Sequence, residues 1–228
     1  MAGQGQKGAG VAPHKRRTQA ERSEEMRAKL AKAAFEVIAE RGHSAFRTAA
    51  VAARAGVSQG AQVHHFATKD GLTLAALDYA LSEAFRASVR RLVSIPPGTN
   101  PLPYLLSDLR EFFLGKHYWV ALDIAIDGSK NLALAGDIRQ IARSYRGPVY
   151  AKWAQVLVDA GWGKNDAEEI VRMIASTLAG IGMRSLWENI EPYIEATIIR
   201  VEEMILATWP VPPAIASMIE QSKSRRAS

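Results

Sequence analysis

The chain has 228 residues, 48% of them hydrophobic, and a formal net charge of +6 with histidine neutral. A chain of this length buries well over half of its unfolded surface, so a real core is expected, in one domain or in two. The absence of cysteine excludes a disulfide framework, a thiolate nucleophile and a Cys-ligated zinc site, and fits a reducing cytoplasm. Residues 1–20 are rich in Gly, Gln, Lys and Arg without periodicity, which predicts a disordered basic arm. His14, Lys15, Arg16 and Arg17 close that arm. Such a segment either reaches a minor groove and phosphates or serves as a solubilising tail, and the sequence leaves both open.

The first helix is predicted over 23–41, with Leu30, Ala34, Val37 and Ile38 on one face. A second short helix covers 47–55 and a third 58–66, joined at Gly56, whose missing Cβ permits a left-handed turn. Ser58 is a good N-cap for the third. A long fourth helix runs over 69–93 and stops at the Pro-rich stretch beginning at Ile95. Further helices are predicted over 102–115, 118–129, 132–160 (kinked or interrupted at Gly147-Pro148), 165–187 and 192–208. The residues after Trp209, with Pro210, Pro212 and Pro213, read as a flexible tail over 211–228. No β-alternation or repeat is found, so the fold is expected to be all-α with about nine helices.

Charge is uneven along this layout. Residues 1–92 hold fifteen Lys/Arg against eight Asp/Glu, a net +7, whereas residues 93–228 hold fourteen against fifteen, a net −1. A basic head on a near-neutral body suits a protein that grips nucleic acid at one end and something else at the other. No Gly-x-Ser-x-Gly, His-Glu-x-x-His or phosphate loop is present, so no enzyme, cofactor or metal site is expected. His64 and His65 are neighbours about 100° apart on a helix, a poor geometry for sharing one metal ion. The N-terminus lacks a signal-peptide apolar run, and nothing approaches the ~18 apolar residues of a membrane span. A cytoplasmic protein without a membrane is expected.

The stretch RTAAVAARAGVSQGAQVHHFATK, from Arg47 to Lys69, is a helix, a Gly-containing turn and a second helix. It follows the amphipathic block LAKAAFEVIAERG and precedes the helix opening at Thr68-Lys69-Asp70-Gly71. In this order and spacing, from Leu30 to about Leu77, the chain resembles the DNA-binding domain of the tetracycline-repressor (TetR) family. The resemblance implies a helix-turn-helix domain over 21–68 and a helical ligand-binding and dimerisation domain over 69–210. It implies a homodimer that holds a pseudo-palindromic double-stranded DNA operator and is released by a small-molecule effector, most readily as a repressor.

Carried over position by position, the resemblance implies DNA contacts at Arg47, Thr48, Ser58, Gln59, Gly60, Ala61, Gln62, His64 and Lys69. Gln bonds adenine bidentately and a small Ala fits a thymine methyl. Two departures stand out. Ala61-Gln62-Val63 replaces the usual Thr-Leu-Tyr, and Phe46-Arg47 stand where two Thr are common. In the body, Tyr104, Phe112, Phe113, Trp119, Asp123, Trp153 and Met173 are candidates for the effector pocket; their residue types equally suit ordinary core, and Asp123 equally suits solvent. Ile174, Leu178, Ile181, Ile194, Ile198, Val201 and Ile205 form helical stripes expected at a dimer interface or in the core. The class left beside the regulator is a helical small-molecule-binding protein or enzyme that makes no specific DNA contact; the basic helix-turn-helix head argues against it.

Overall fold

The computed structural model describes residues 18–227, and all the regular structure among them is α-helical. The head consists of α1 (Gln19–Arg41), α2 (Thr48–Ala55) and α3 (Gln59–His65). The long α4 (Lys69–Val93) leads into the body. There follow α5 (Leu102–Phe113), α6 (Lys116–Gly128), α7 (Leu132–Asp159), α8 (Lys164–Arg184), α9 (Ile194–Thr208) and α10 (Pro213–Ala227). The basic cluster His14–Arg17 lies outside the described residues. Helix α1 starts before its predicted position because Thr18 and Glu21 close a capping box. The Thr18 hydroxyl accepts from the Glu21 N–H at 3.1 Å, and the Glu21 carboxylate accepts from the Thr18 N–H at 2.7 Å. No described helix is long and apolar enough to cross a membrane.

Two hydrophobic clusters hold these helices together. The first joins Leu30, Val37 and Ile38 of α1 with Phe46, Val51 and Phe66 of the head. It continues into Leu72, Ala76 and Leu77 of α4, Val120 and Ile124 of α6, and Leu134 and Ile138 of α7. The division expected between residues 68 and 69 therefore falls inside one core. The head helices have too little apolar surface of their own, and α4, α6 and α7 supply the rest. The second cluster gathers Leu102, Leu105 and Leu109 of α5, Val149, Trp153 and Leu157 of α7, Ile170, Ile174 and Leu178 of α8, Ile194 and Ile205 of α9, and Ile215 of α10.

Helix α7 passes through both clusters and contains Pro148. The ring removes the hydrogen bond to the Ser144 carbonyl, which would stop most buried helices. Here Ser144, Gly147 and Pro148 are all solvent-exposed, so water serves the freed carbonyl and the helix runs on.

Two expectations about the C-terminal third are corrected. The segment after Trp209 is not a loose tail throughout: Pro213 occupies the first position of α10, where a missing N–H costs nothing. Ile215 is 2% exposed and anchors that helix to the body cluster. The Pro-rich stretch was thus a helix start rather than a terminus. The second correction concerns the dimer stripes. Ile174, Leu178, Ile181, Ile194 and Ile205 are buried within the single chain, and Ile198 and Val201 pack partly against the same cluster.

Ile215→Ala should lower the unfolding free energy by about 2–5 kcal/mol, the range for truncating a buried branched side chain. Urea denaturation followed by circular dichroism measures it. A change under ~0.5 kcal/mol would show α10 to be a surface appendage.

Candidate nucleic-acid interface

The turn between α2 and α3 is built by local rules. Gly56 takes φ +62° in the left-handed region, and the Val57 N–H reaches back to the Ala52 carbonyl at 3.0 Å, ending α2. Ser58 adopts extended backbone and its hydroxyl accepts from the Ala61 N–H at 3.1 Å, starting α3. The Ser58 side chain is thereby committed to the cap.

From that start, α3 presents Gln59, Gly60, Val63 and His64 to solvent, with Ala61 half-buried beside them. Gln62 is not on this face. It is 2% exposed, and its amide Nε2 donates to the Phe66 carbonyl at 2.8 Å, closing the C-terminus of α3. The groove contact expected of Gln62 is therefore corrected to a structural one. Ser58, Gln62 and Phe66 are spaced four apart, one helical row, and Phe66 is core. That spacing was the available signal. Val63, 53% exposed, was passed over because an apolar residue reads as interior.

The flanks of α3 differ in their free charge. Arg54 is neutralised by Glu36 and Glu40 of α1, and its hydrogen bond holds the Glu40 carboxyl below the ordinary value. Arg27 donates to the His65 carbonyl at 3.1 Å and lies over the Phe66 ring. Arg47 spends one guanidinium nitrogen on the Ser44 and Phe46 carbonyls at the start of α2. Lys69, the first residue of α4, sits 5.8 Å from the centre of the Phe46 ring. Neither Arg47 nor Lys69 has a carboxylate partner among the described residues, and both are exposed. Thr48 opens α2 half-buried next to them. The result is a short exposed helix bracketed by two uncompensated cations.

A buried histidine ties this head to the body. His43, in the turn between α1 and α2, is 4% exposed. Its backbone N–H donates to Asp123 of α6 at 2.6 Å. Its ring nitrogens lie 2.7 Å from Asp127 of α6 and 3.1 Å from the Thr73 hydroxyl of α4. The His43 hydrogen bond, followed by that of Lys130, holds the Asp127 carboxyl below its ordinary value of 3.8. A lowered carboxyl stabilises the fold above its unfolded-state pKa and loses that effect as pH falls through the folded value. The Asp127 contribution is accordingly present at neutral pH and is lost in acid. Asp123, offered from sequence as an effector contact, spends one oxygen here.

Comparison with known proteins fits this geometry. A family model described as "Bacterial regulatory proteins, tetR family" matches residues 30–76, from α1 into α4. The HTH-type transcriptional regulator CymR of Pseudomonas putida is 38% identical over 175 residues, covering 77% of this chain and 86% of that protein. The chain belongs to the TetR family. It is a helix-turn-helix transcriptional regulator, from a family of non-enzymes. An uncharacterised HTH-type regulator of Mycobacterium bovis is 27% identical over 134 residues, 59% of this chain and 69% of that protein. Among solved structures, a transcriptional regulator from Rhodococcus sp. Rha1 superposes with TM-score 0.63 and 25% identity, over 82% of this chain and 99% of that one. The multidrug binding protein EbrR, complexed with imidazole, shares the fold at TM-score 0.56 and 24% identity, over 82% and 96%.

The body of this TetR-family chain separates the residues expected to form one pocket. Trp153 is fully buried, and its indole N–H donates to Asp108 at 2.8 Å. The same carboxylate accepts from the Ser88 hydroxyl at 2.6 Å and from Arg91 at 2.8 Å. Trp153 is thus core, oriented by an aspartate that sequence reasoning missed because its three-helix setting is invisible in the chain. Phe113 is 5% exposed and belongs to the body cluster. Met173 faces outward on α8 at 50% exposure, and Tyr104 is 38% exposed on α5. Trp119 and Asp123 do meet, along an open groove of about 420 Å³ between the end of α1 and α6. Phe112 lines a separate, smaller cavity among α4, α5, α6 and α7.

Gln62→Ala should destabilise the protein by about 1–3 kcal/mol and leave the ranking of DNA sequences unchanged. Thermal unfolding with a binding-site selection checks it; altered base preference at unchanged stability would return Gln62 to the groove. His43→Ala should cost about 2–4 kcal/mol, since it leaves Thr73 without its buried partner and opens a cavity. A loss below ~0.5 kcal/mol in chemical denaturation would show the clamp to be incidental.

Proposed function

We propose that this regulator is a homodimeric repressor that holds a pseudo-palindromic operator through α3 and is released by a small molecule in its body. The observation that carries the reading is the exposed α3 face of Gln59, Gly60, Val63 and His64, set between the unpaired cations Arg47 and Lys69. A glycine on that face lets backbone approach the bases, and Gln59 and His64 offer polar edges to them. Arg47 and Lys69 face where the phosphates pass, and Thr48 is beside them. On this reading 18–68 is the DNA-binding part, and the helices from α4 onward form the sensing and pairing part.

Pairing is supported by a second apolar row on α8 and α9, one step round from the buried isoleucines. Met173 and Met183 of α8, then Leu186 and Trp187 beyond its end, are 41–68% exposed. Ile199 and Met204 of α9 are 57% and 59% exposed. Both helices leave large apolar residues exposed, and an isologous contact between two copies covers them.

Release is supported by the route between the sites. Helix α4 starts at Lys69 beside the DNA face and, with 25 residues, reaches roughly 37 Å into the body at ~1.5 Å per residue. Through Thr73 and the two α6 carboxylates, any shift of α6 against α4 pulls on the turn that precedes α2. An effector that binds the shifted arrangement better lowers operator affinity tenfold for each ~1.4 kcal/mol of preference.

Selection from random DNA should return an inverted repeat with half-sites about one helical turn apart or more. Binding should weaken with salt at a slope of about −0.9 per phosphate contacted, and Lys69→Ala should reduce that slope by about 1 for every sequence. Ile199→Glu with Met204→Glu should give a monomer by sedimentation. Selection without an enriched inverted repeat, or a double variant that stays dimeric, would overturn the corresponding part of the reading.

A further inference from the structure

The outward face of α3 has an apolar centre. At about 100° per residue, the exposed Gln59, Val63, Gly60 and His64 follow one another round the helix across about 140°. Gln59 and His64 are the polar edges of that arc, and Val63 and Gly60 are its middle. Gln62 points the opposite way and is buried. The His64 ring packs edge-on against the ring of His65, with 5.1 Å between centres, and His65 lies on the far side of His64 from Val63. Gly60 is not demanded by packing within the chain, since a Cβ there would meet only the Ser58 hydroxyl, at 3.9 Å. Val63 is thus the one side chain at the middle of the face, with an open gap beside it.

Val63 contributes to neither core. It is 53% exposed and belongs to neither hydrophobic cluster. Its branched Cβ makes it a poorer helix former than alanine, and α3 has only seven residues to absorb that cost. Among the described residues of the head, 18–68, it is the only exposed large apolar side chain. One such group is too small a patch to dock a protein. It does match an apolar target of one methyl's size. The face it occupies lies between the exposed cations Arg47 and Lys69, which favour phosphates on either side. In the DNA major groove, the thymine 5-methyl is the apolar group that a base edge presents.

Resting on the reading of α3 as the operator-facing helix, we propose that Val63 is a specificity-determining residue that reads the 5-methyl group of one thymine in each half-site. Gln59 and His64 flank this contact and meet polar base edges. The gap at Gly60 brings the helix close enough for two short apolar groups to touch. The methyl contact thereby belongs to Val63 rather than to Ala61, which is half-buried and about 160° away round the helix. Burying one methyl against a valine is worth about three- to fivefold in affinity per half-site.

The test uses the full-length protein and the operator obtained by selection from random DNA. Each thymine of a half-site is replaced in turn by deoxyuridine, which lacks only the methyl, and affinity is read by fluorescence anisotropy at fixed salt. For the wild type, one replacement should weaken binding about three- to fivefold. In Val63→Ala the same replacement should change affinity by less than about 1.5-fold, because the two losses are one contact. Lys69→Ala should weaken thymine and uracil operators alike and keep the wild-type ratio between them. Selection repeated with Val63→Ala should lose the thymine preference at that position. Val63→Thr keeps one methyl and should fall between; it decides the matter if circular dichroism shows the alanine variant unfolded. An equal methyl effect in wild type and Val63 variants, no thymine sensitive to its methyl, or selected half-sites without thymine would each overturn the proposal, while the inverted repeat leaves the operator reading standing. Selection that returns no enriched repeat would overturn both.

Discussion

Most of this structure depends on one constraint: the head cannot fill its own core. Helices α1 to α3 offer Leu30, Val37, Ile38, Phe46, Val51 and Phe66, and these close only when Leu72, Leu77, Val120 and Ile124 join them. The hydrophobic effect thus welds the DNA-facing unit to α4 and α6 before any specific bond is considered. His43 then fixes the orientation. Apolar contact is tolerant of sliding, but a buried ring hydrogen-bonded to two helices at once is not. A displacement of the body helices reaches the head through this shared interior, with no separate wire.

The body uses the same division of labour at Asp108. Leucines of α5 and residues of α7 and α8 supply the burial, while one carboxylate binds a serine and an arginine of α4 and a tryptophan of α7. Two acidic nodes, one at each end of the α4 route, set how the helices sit. Both are made of ordinary residues far apart in sequence.

That distance explains what the chain disclosed and what it withheld. Helix ends were legible, because Gly56, Ser58 and Thr68 act on neighbours within four residues. So was the helix-turn-helix, which is a local pattern with a narrow spacing. Faces were harder. Gln62 looked like a reader of bases because it is polar, yet its partner is the carbonyl four residues on. The isoleucines of α8 looked like a contact between copies, yet they are buried inside the single chain. Periodicity finds a row without saying what lies against it. Asp108 was missed altogether, since the pairing of a buried charge across three helices leaves no mark in sequence. The prolines near residue 212 were misjudged for a simpler reason: proline ends one helix and begins the next with equal ease.

The two clusters also say how such a protein diversifies. Ala84, Ala87, His117 and Arg146 line the small cavity but belong to neither cluster. A change at any of them reshapes that cavity without removing a buried aliphatic from either core. Over many generations, then, the lining of that cavity is free to drift while the scaffold that carries α3 is inherited almost intact. One architecture thereby becomes a stock from which differently triggered switches descend.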